Sequence, residues 1–144
     1  MFEKILICTD GSESAIAAAR VAAQLAKFHS AELTLLYVCD LPMVDERFPG
    51  APSLARPLLG KYVEDIHSAV VQRTRPVIDA EGVSCHLLLE VGEPIAVIPR
   101  IADRCGFDLV VVGSRGLGLD KEMQLGSVSH GVVQRCHCPV LTVR

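Results

Sequence analysis

The chain has 144 residues, half of them hydrophobic, with few aromatics and no tryptophan, which is enough to bury a sizeable core within one domain, 1–144. Its formal charge is −3 and its pI near 5.9; with no Lys/Arg cluster, that balance speaks against a nucleic-acid backbone as partner. Polar residues interrupt every apolar run before membrane-spanning length, and "MFEKILICTD" lacks the basic and apolar regions of a signal peptide, so the expectation is a cytoplasmic protein without a membrane partner.

The pattern along the chain alternates. "KILIC" (Lys4–Cys8) is a short apolar run with β-branched members, closed by the turn "TDGS". The Ala-rich "SAIAAARVAAQLAKF" follows, with Glu13, Arg20, Gln24 and Lys27 near one stripe at helical spacing, so that helix buries most of its circumference. "ELTLLYVCD" (Glu32–Asp40) reads as the second strand. Residues 41–60 carry Pro42, Pro49, Pro52 and Pro57 without periodicity, and are expected to form a long mobile loop. From Lys61 a helical face returns through Val63, Ile66, Val70 and Val77, which Pro76 should kink or end early. "CHLLLEVG" is the third strand. Pro94 opens a third helix with Ile98, Ile101 and Cys105 on its inner face, interrupted at Pro99. "DLVVVG" is the fourth strand, Ser127–Cys136 a fourth helix, and "PVLTVR" the fifth strand. The six cysteines, Cys8, Cys39, Cys85, Cys105, Cys136 and Cys138, are expected to be reduced and mostly small core residues.

Strand–helix alternation with near-continuous apolar strands predicts an α/β fold: a doubly wound, open, parallel five-stranded sheet with helices on both faces. The expected strand order is 3-2-1-4-5. Ligands of such sheets bind beyond the carboxyl ends of the strands where the winding reverses, here between the first and fourth strands. The loops bordering that crevice are "CTDGSES" and "GSRGLGLDKEMQLGSV".

The second loop is rich in glycine, which loses more backbone freedom on folding than any other residue. Gly113 ends the fourth strand, Gly116 lets the loop turn with its N–H groups inward, and Gly126-Ser127 starts the fourth helix. Successive backbone N–H groups and a helix N-terminus suit an anion, phosphate above all. Bare backbone lets phosphate oxygens approach; Ser127 and Ser129 add hydroxyl donors, and Arg115 or Lys121 adds charge. Glycines at strand-to-helix turns also serve packing alone, but here they stand at both ends of the loop. "GSRGLG" is not G-x-G-x-x-G, and Gly118 is followed by Leu119-Asp120 instead of Lys-Ser/Thr, so dehydrogenase and P-loop readings are disfavoured.

Gly113, two residues, Gly116, nine residues and Gly126-Ser127 make the G-x2-G-x9-G-[ST] pattern of the nucleotide-binding branch of the universal stress protein family. The chain resembles that family along its whole length, with "KILICTDGSESA" like its first strand and turn and "CPVLTVR" like its closing strand. The resemblance implies a five-stranded parallel α/β sandwich, a homodimer, and ATP or another adenine nucleotide as ligand; Mg is expected to accompany the ATP phosphates. It further implies phosphates on Gly113, Gly116, Gly126 and Ser127, adenine near the ends of the first two strands, Asp10 facing ribose, Val38 offering backbone groups to the base, and Thr9 lining the pocket. Cys8 stands where many relatives carry Pro or Ala. The candidate ligand contacts are therefore Cys8, Thr9, Asp10 and Val38, then Val112, Gly113, Ser114, Arg115, Gly116 and Gly118, and finally Gly126, Ser127, Val128 and Ser129.

Asp10 has a second available role as cap of the first helix, with Glu13 in a box-like position. A carboxylate aimed at phosphates repels them, so ribose, or phosphate through Mg, is its compatible ligand. "CHCP" (Cys136–Pro139) invites a zinc reading, but no second ligand pair at metal-site spacing accompanies it, so no metal ligand is assigned. No His has a Ser or Cys partner at recognisable spacing, and no residue is assigned as catalytic. The expected function is thus a nucleotide-binding stress or signalling module with little turnover. The alternative is a weak ATPase, or an adenylyl-transfer enzyme of related fold, the latter of which would need Ser-Gly-Gly at the first turn instead of "TDGSES". The homodimer is expected through the last strand, Val140–Val143, whose outer edge is otherwise bare.

Overall fold

The structure is a computed structural model that describes residues 1–40, 55–115 and 125–144, with side chains for all of these except 55–59 and 62. Among the described residues the elements run β1 (Lys4–Cys8), α1 (Glu13–His29), β2 (Glu32–Cys39), α2 (Ala55–Asp79), β3 (Cys85–Val91), α3 (Pro94–Cys105), β4 (Leu109–Gly113), α4 (Ser127–Arg135) and β5 (Val140–Val143). The five strands form one sheet in the order β3-β2-β1-β4-β5, and every pairing is parallel. This is the expected topology. No helix among the described residues is long and apolar enough to cross a membrane.

Successive strand residues face opposite sides, and the sheet divides its side chains accordingly. Ile5, Ile7, Leu33, Leu35, Leu109 and Val111 pack with the buried alanines of α1 and with Ile78 of α2. Leu6, Cys8, Leu36, Val38, Val110 and Val112 pack with Val97, Ile98, Ile101 and Ala102 of α3 and Val132 of α4. Small residues on α1 let its backbone lie close to the sheet, while Glu13, Arg20, Gln24 and Lys27 face solvent.

The helices depart from the sequence expectation at three prolines. The segment expected to loop over 41–60 is helical from Ala55; Pro57 falls in the first turn, where its missing N–H has no intrahelical partner to lose. Residues 41–54 lie outside the described residues. Pro76 neither ends nor shortens α2, which runs on to Asp79. The last turn is anchored by fully buried Ile78 and by the Arg75–Asp79 ion pair at 2.8 Å, against the single backbone bond that the proline removes. Pro99 likewise sits buried inside a continuous α3, among Val97, Ile98, Ile101 and Ala102. Cys105, expected on the inner face, is exposed, because α3 ends there and Gly106 turns the chain with φ 70°. Cys8 and Cys39 are buried, whereas Cys85, Cys136 and Cys138 are only partly so. Cys85, Cys136 and Cys138 nonetheless pack against the core clusters, so the expectation of mostly core cysteines fails only at Cys105.

Candidate functional site

The site lies where the winding reverses. The chain leaves β1 for β2 on one side and returns through β4 on the other, so the loops after β1 and β4 diverge from adjacent strands. Their register sets Cys8 opposite Val112. Beyond Cys8 the chain turns through Thr9, Asp10 and Gly11, where Gly11 takes φ 79°, a conformation that carries little strain only for glycine.

The first turn is built by its own side chains. Ser12 is the N-cap of α1 and accepts from the Ala15 N–H at 3.3 Å. Asp10, expected as a possible cap, instead accepts the Ser12 N–H on Oδ1 at 2.9 Å, an Asx turn that sets the cap in place. The Thr9 hydroxyl meets that of Thr74 on α2 at 2.8 Å and accepts the Gly11 N–H at 3.1 Å. Thr74, fully buried, is a residue that sequence reasoning missed, since a threonine inside an amphipathic helix has no distinguishing spacing.

The second loop is fastened to the first. The Arg115 carbonyl accepts from Ser12 Oγ at 3.4 Å and from Ser14 Oγ, while its N–H donates to Ser14 Oγ at 3.3 Å. The Arg115 residue itself is exposed. Gly113 sits so close to α1 that a Cβ there would lie 2.5 Å from Ser14 Oγ, 2.7 Å from Ala15 N and 2.8 Å from the Ser14 carbonyl carbon. The glycine expected for phosphate approach is thereby required for the approach of a helix.

The far end of the loop returns to its start. The Gly126 N–H donates to the Ser114 carbonyl at 2.6 Å, and Ser129 Oγ donates to the same carbonyl at 3.1 Å and to the Gly126 carbonyl at 3.0 Å. The Ser114 N–H donates to Val143 at 2.6 Å. These bonds hold the N-terminus of α4 at the carboxyl end of β4, and they occupy the Ser129 hydroxyl within the protein. Gly126 is the N-cap of α4 and supplies no side-chain cap, in contrast to Ser12 on α1. Ser127 and Val128 are exposed on its first turn. Among the described residues, no side chain caps the leading N–H groups at the positive end of the α4 dipole. Among the described residues Ser114 Oγ, buried beside them, has no hydrogen-bond partner, which is costly unless something satisfies it.

Of the other expected contacts, Cys8, Val38 and Val112 are buried in the cluster under α3 and α4; burial pushes the Cys8 thiol far above its usual range. Gly116, Gly118 and Lys121 lie outside the described residues. Among the described residues no group of three or more His, Cys, Asp or Glu side chains is placed to hold a metal.

An open parallel sheet in the order β3-β2-β1-β4-β5, with helices packed on both faces, defines a doubly wound α/β protein. Residues 1–144 match the Universal stress protein family, and the chain belongs to it. It is 34% identical over 148 residues to universal stress protein YxiE of Bacillus subtilis, covering all of both chains. Among solved structures, the hypothetical protein MJ0577 superposes with a TM-score of 0.82 at 29% identity, over 99% of this chain and 96% of that one; the MJ0577 protein is from Methanocaldococcus jannaschii. A universal stress protein in complex with cAMP superposes at 0.71 and 24% identity, over 99% of this chain and 97% of that one.

Proposed function

We propose that this chain is an adenine-nucleotide-binding module of the stress-response type that holds ATP, with Mg on its phosphates, and turns it over little or not at all. The observation that carries the reading is the uncapped N-terminus of α4, fastened by Gly126 and Ser129 to the end of β4 next to the β1 turn. Solved universal stress proteins include complexes with cAMP, dAMP and AMP, which supports the adenine nucleotide as the ligand class. The phosphates lie over Gly126, Ser127 and Val128 and along the loop that begins at Gly113, where backbone N–H groups and the helix dipole stabilise negative charge. Ser114 Oγ gains a partner from a ligand or its bound water. Purified protein, denatured and analysed by mass and absorbance, should release an adenine nucleotide. Release of a different class of molecule, together with no heat of ATP binding in titration, would overturn the proposal. Single-turnover incubation with ATP should yield no phosphate above the spontaneous rate.

Asp10 serves ribose in this reading. Its carboxylate has one oxygen on the Ser12 N–H and further acceptor capacity toward sugar hydroxyls. Asp10→Ala should weaken ATP and AMP alike, by about 1–3 kcal/mol, the usual range for hydrogen bonds to a charged group. Asp10→Asn, which keeps the turn, should lose less. If AMP affinity is untouched and only Mg-ATP suffers, Asp10 is a metal-linked residue instead.

The second part of the proposal is a homodimer through β5. This strand ends the sheet, and Val140, Leu141, Thr142 and Val143 are all half-buried. The carbonyls of Pro139 and Val143 point to β4, accepting from Val110 and Ser114. In a parallel ladder alternate residues bond to opposite sides, so Leu141 also faces β4 and Thr142 faces the free edge. Thr142→Pro removes an outward N–H while leaving the β4 ladder intact, a position where proline is tolerated. It should weaken a strand-to-strand dimer roughly 10- to 100-fold, from one hydrogen bond lost on each side. Sedimentation equilibrium tests this; a native chain that stays monomeric at hundreds of micromolar, on the order of the weakest useful affinities, removes the interface.

A further inference from the structure

The corner between α4 and β5 carries two cysteines that the nucleotide site does not use. Cys136 is the C-cap of α4, in extended conformation with φ −70° and ψ 140°, and its N–H donates to the Val132 carbonyl at 2.9 Å. Cys138 precedes Pro139, which biases it toward extended backbone as well, and the Pro139 carbonyl accepts the Val110 N–H at 3.0 Å. The backbone is thus held on both sides of the pair. Residues two apart lie about 6.5 Å apart in fully extended chain, and the bend at His137 and Cys138 brings this pair nearer, within the Cα separation a disulfide spans. Both side chains pack against the same apolar cluster under α3 and α4. His137, between them, turns outward and pairs with Asp103 through Nδ1 at 2.8 Å, so a shared metal site with the imidazole is not formed. Both thiols are free and partly accessible.

We propose that Cys136 and Cys138 form a dithiol–disulfide couple, closed by exchange with a low-molecular-weight disulfide. Burial, the neighbouring Cys138 and Asp103 push the Cys136 thiol up to about 11. Burial raises Cys138 too. Exchange opens at whichever sulfur ionises first, taken as Cys138. The Cys138 thiolate attacks one sulfur of the small disulfide, forming a mixed disulfide and expelling one small thiolate. Cys136 then gives its proton to that thiolate and attacks the Cys138 sulfur, expelling the second small thiolate, which takes a proton from water. Two protein thiols become one disulfide, and one small disulfide becomes two thiols. The closed ring staples the α4 end to the entry of β5.

The test uses the native full chain, folded, in buffers of graded oxidised to reduced glutathione. After acid quenching, free thiols are alkylated with N-ethylmaleimide in denaturant and the chain is cut with trypsin. Cleavage after Arg135 isolates both cysteines on the Cys136–Arg144 peptide. The expected result is a Cys136–Arg144 peptide lighter by two hydrogens, without alkyl groups, that regains both on reduction. In Cys136→Ser a glutathione adduct should accumulate on Cys138, because the resolving thiol is gone. A peptide that stays doubly alkylated while exposed Cys105 takes up glutathione overturns the proposal. So does stable glutathione on either cysteine of the native chain without internal closure. Neither readout depends on nucleotide binding.

Discussion

Gly113→Ala should destabilise the protein by about 3 kcal/mol, at the high end for adding a methyl group to a packed interior. The added Cβ would lie 2.7 Å from Ala15 N and 2.8 Å from the Ser14 carbonyl carbon, and both belong to the α1 backbone, which has no rotamer to change. Only a retreat of α1 from the sheet relieves the contact, and that opens the interface in which Ala18, Ala19, Ala22 and Ala23 are fully buried. Gly131→Ala is the control. Its Cβ would meet Ile95 side-chain carbons at 2.7, 3.0 and 3.1 Å, but an isoleucine side chain can move, and alanine gains about 1 kcal/mol of helix propensity over glycine. That variant should stay within about 1 kcal/mol of the native chain. Urea unfolding checks both, read as midpoint shifts at constant slope. A Gly113→Ala protein as stable as the native one would mean that α1 is not seated as described.

That contrast also marks where the sequence was legible. Apolar strand runs, the Ala-rich helix and the turn residues between them carry the strand order and both helix layers, because period and composition report burial directly. The crevice followed from topology, and the glycine spacing located the loop that borders it. What the sequence concealed is tertiary. Gly113 looked like a ligand-facing glycine, yet its neighbour is the Ser14–Ala15 backbone, which is distant in sequence. Asp10 and Ser12 are both competent caps, and only the geometry assigns the cap to Ser12 and the Asx turn to Asp10. Pro76 and Pro99 carry a strong local signal against helix, overridden here by buried neighbours that favour continuity. Ser14, to which the sequence assigns no role, accepts the Arg115 N–H.

Gly126→Asp should separate the ligand site from the fold. The residue is the N-cap of α4 with φ −67° and ψ 164°, a conformation open to any L-residue. An aspartate there can accept from the N–H of Val128 or Ser129, and as a favoured cap it should hold or raise stability by a few tenths of a kcal/mol over glycine. The same carboxylate occupies the positive end of the helix and faces the phosphates that the proposed function puts there. Like charges brought together in a binding site cost several kcal/mol, so ATP affinity should fall by at least about a hundredfold, roughly 3 kcal/mol. Gly126→Asn caps the helix at nearly equal volume without the charge and should fall much less, and adenosine, which has no phosphate, should bind all three proteins alike. Titration calorimetry against ATP and adenosine, paired with thermal unfolding in the absence of ligand, reads both effects. Native-like ATP affinity in Gly126→Asp would put the phosphates elsewhere, and equal losses for ATP and adenosine would make the effect steric, because the electrostatic argument acts only on charge.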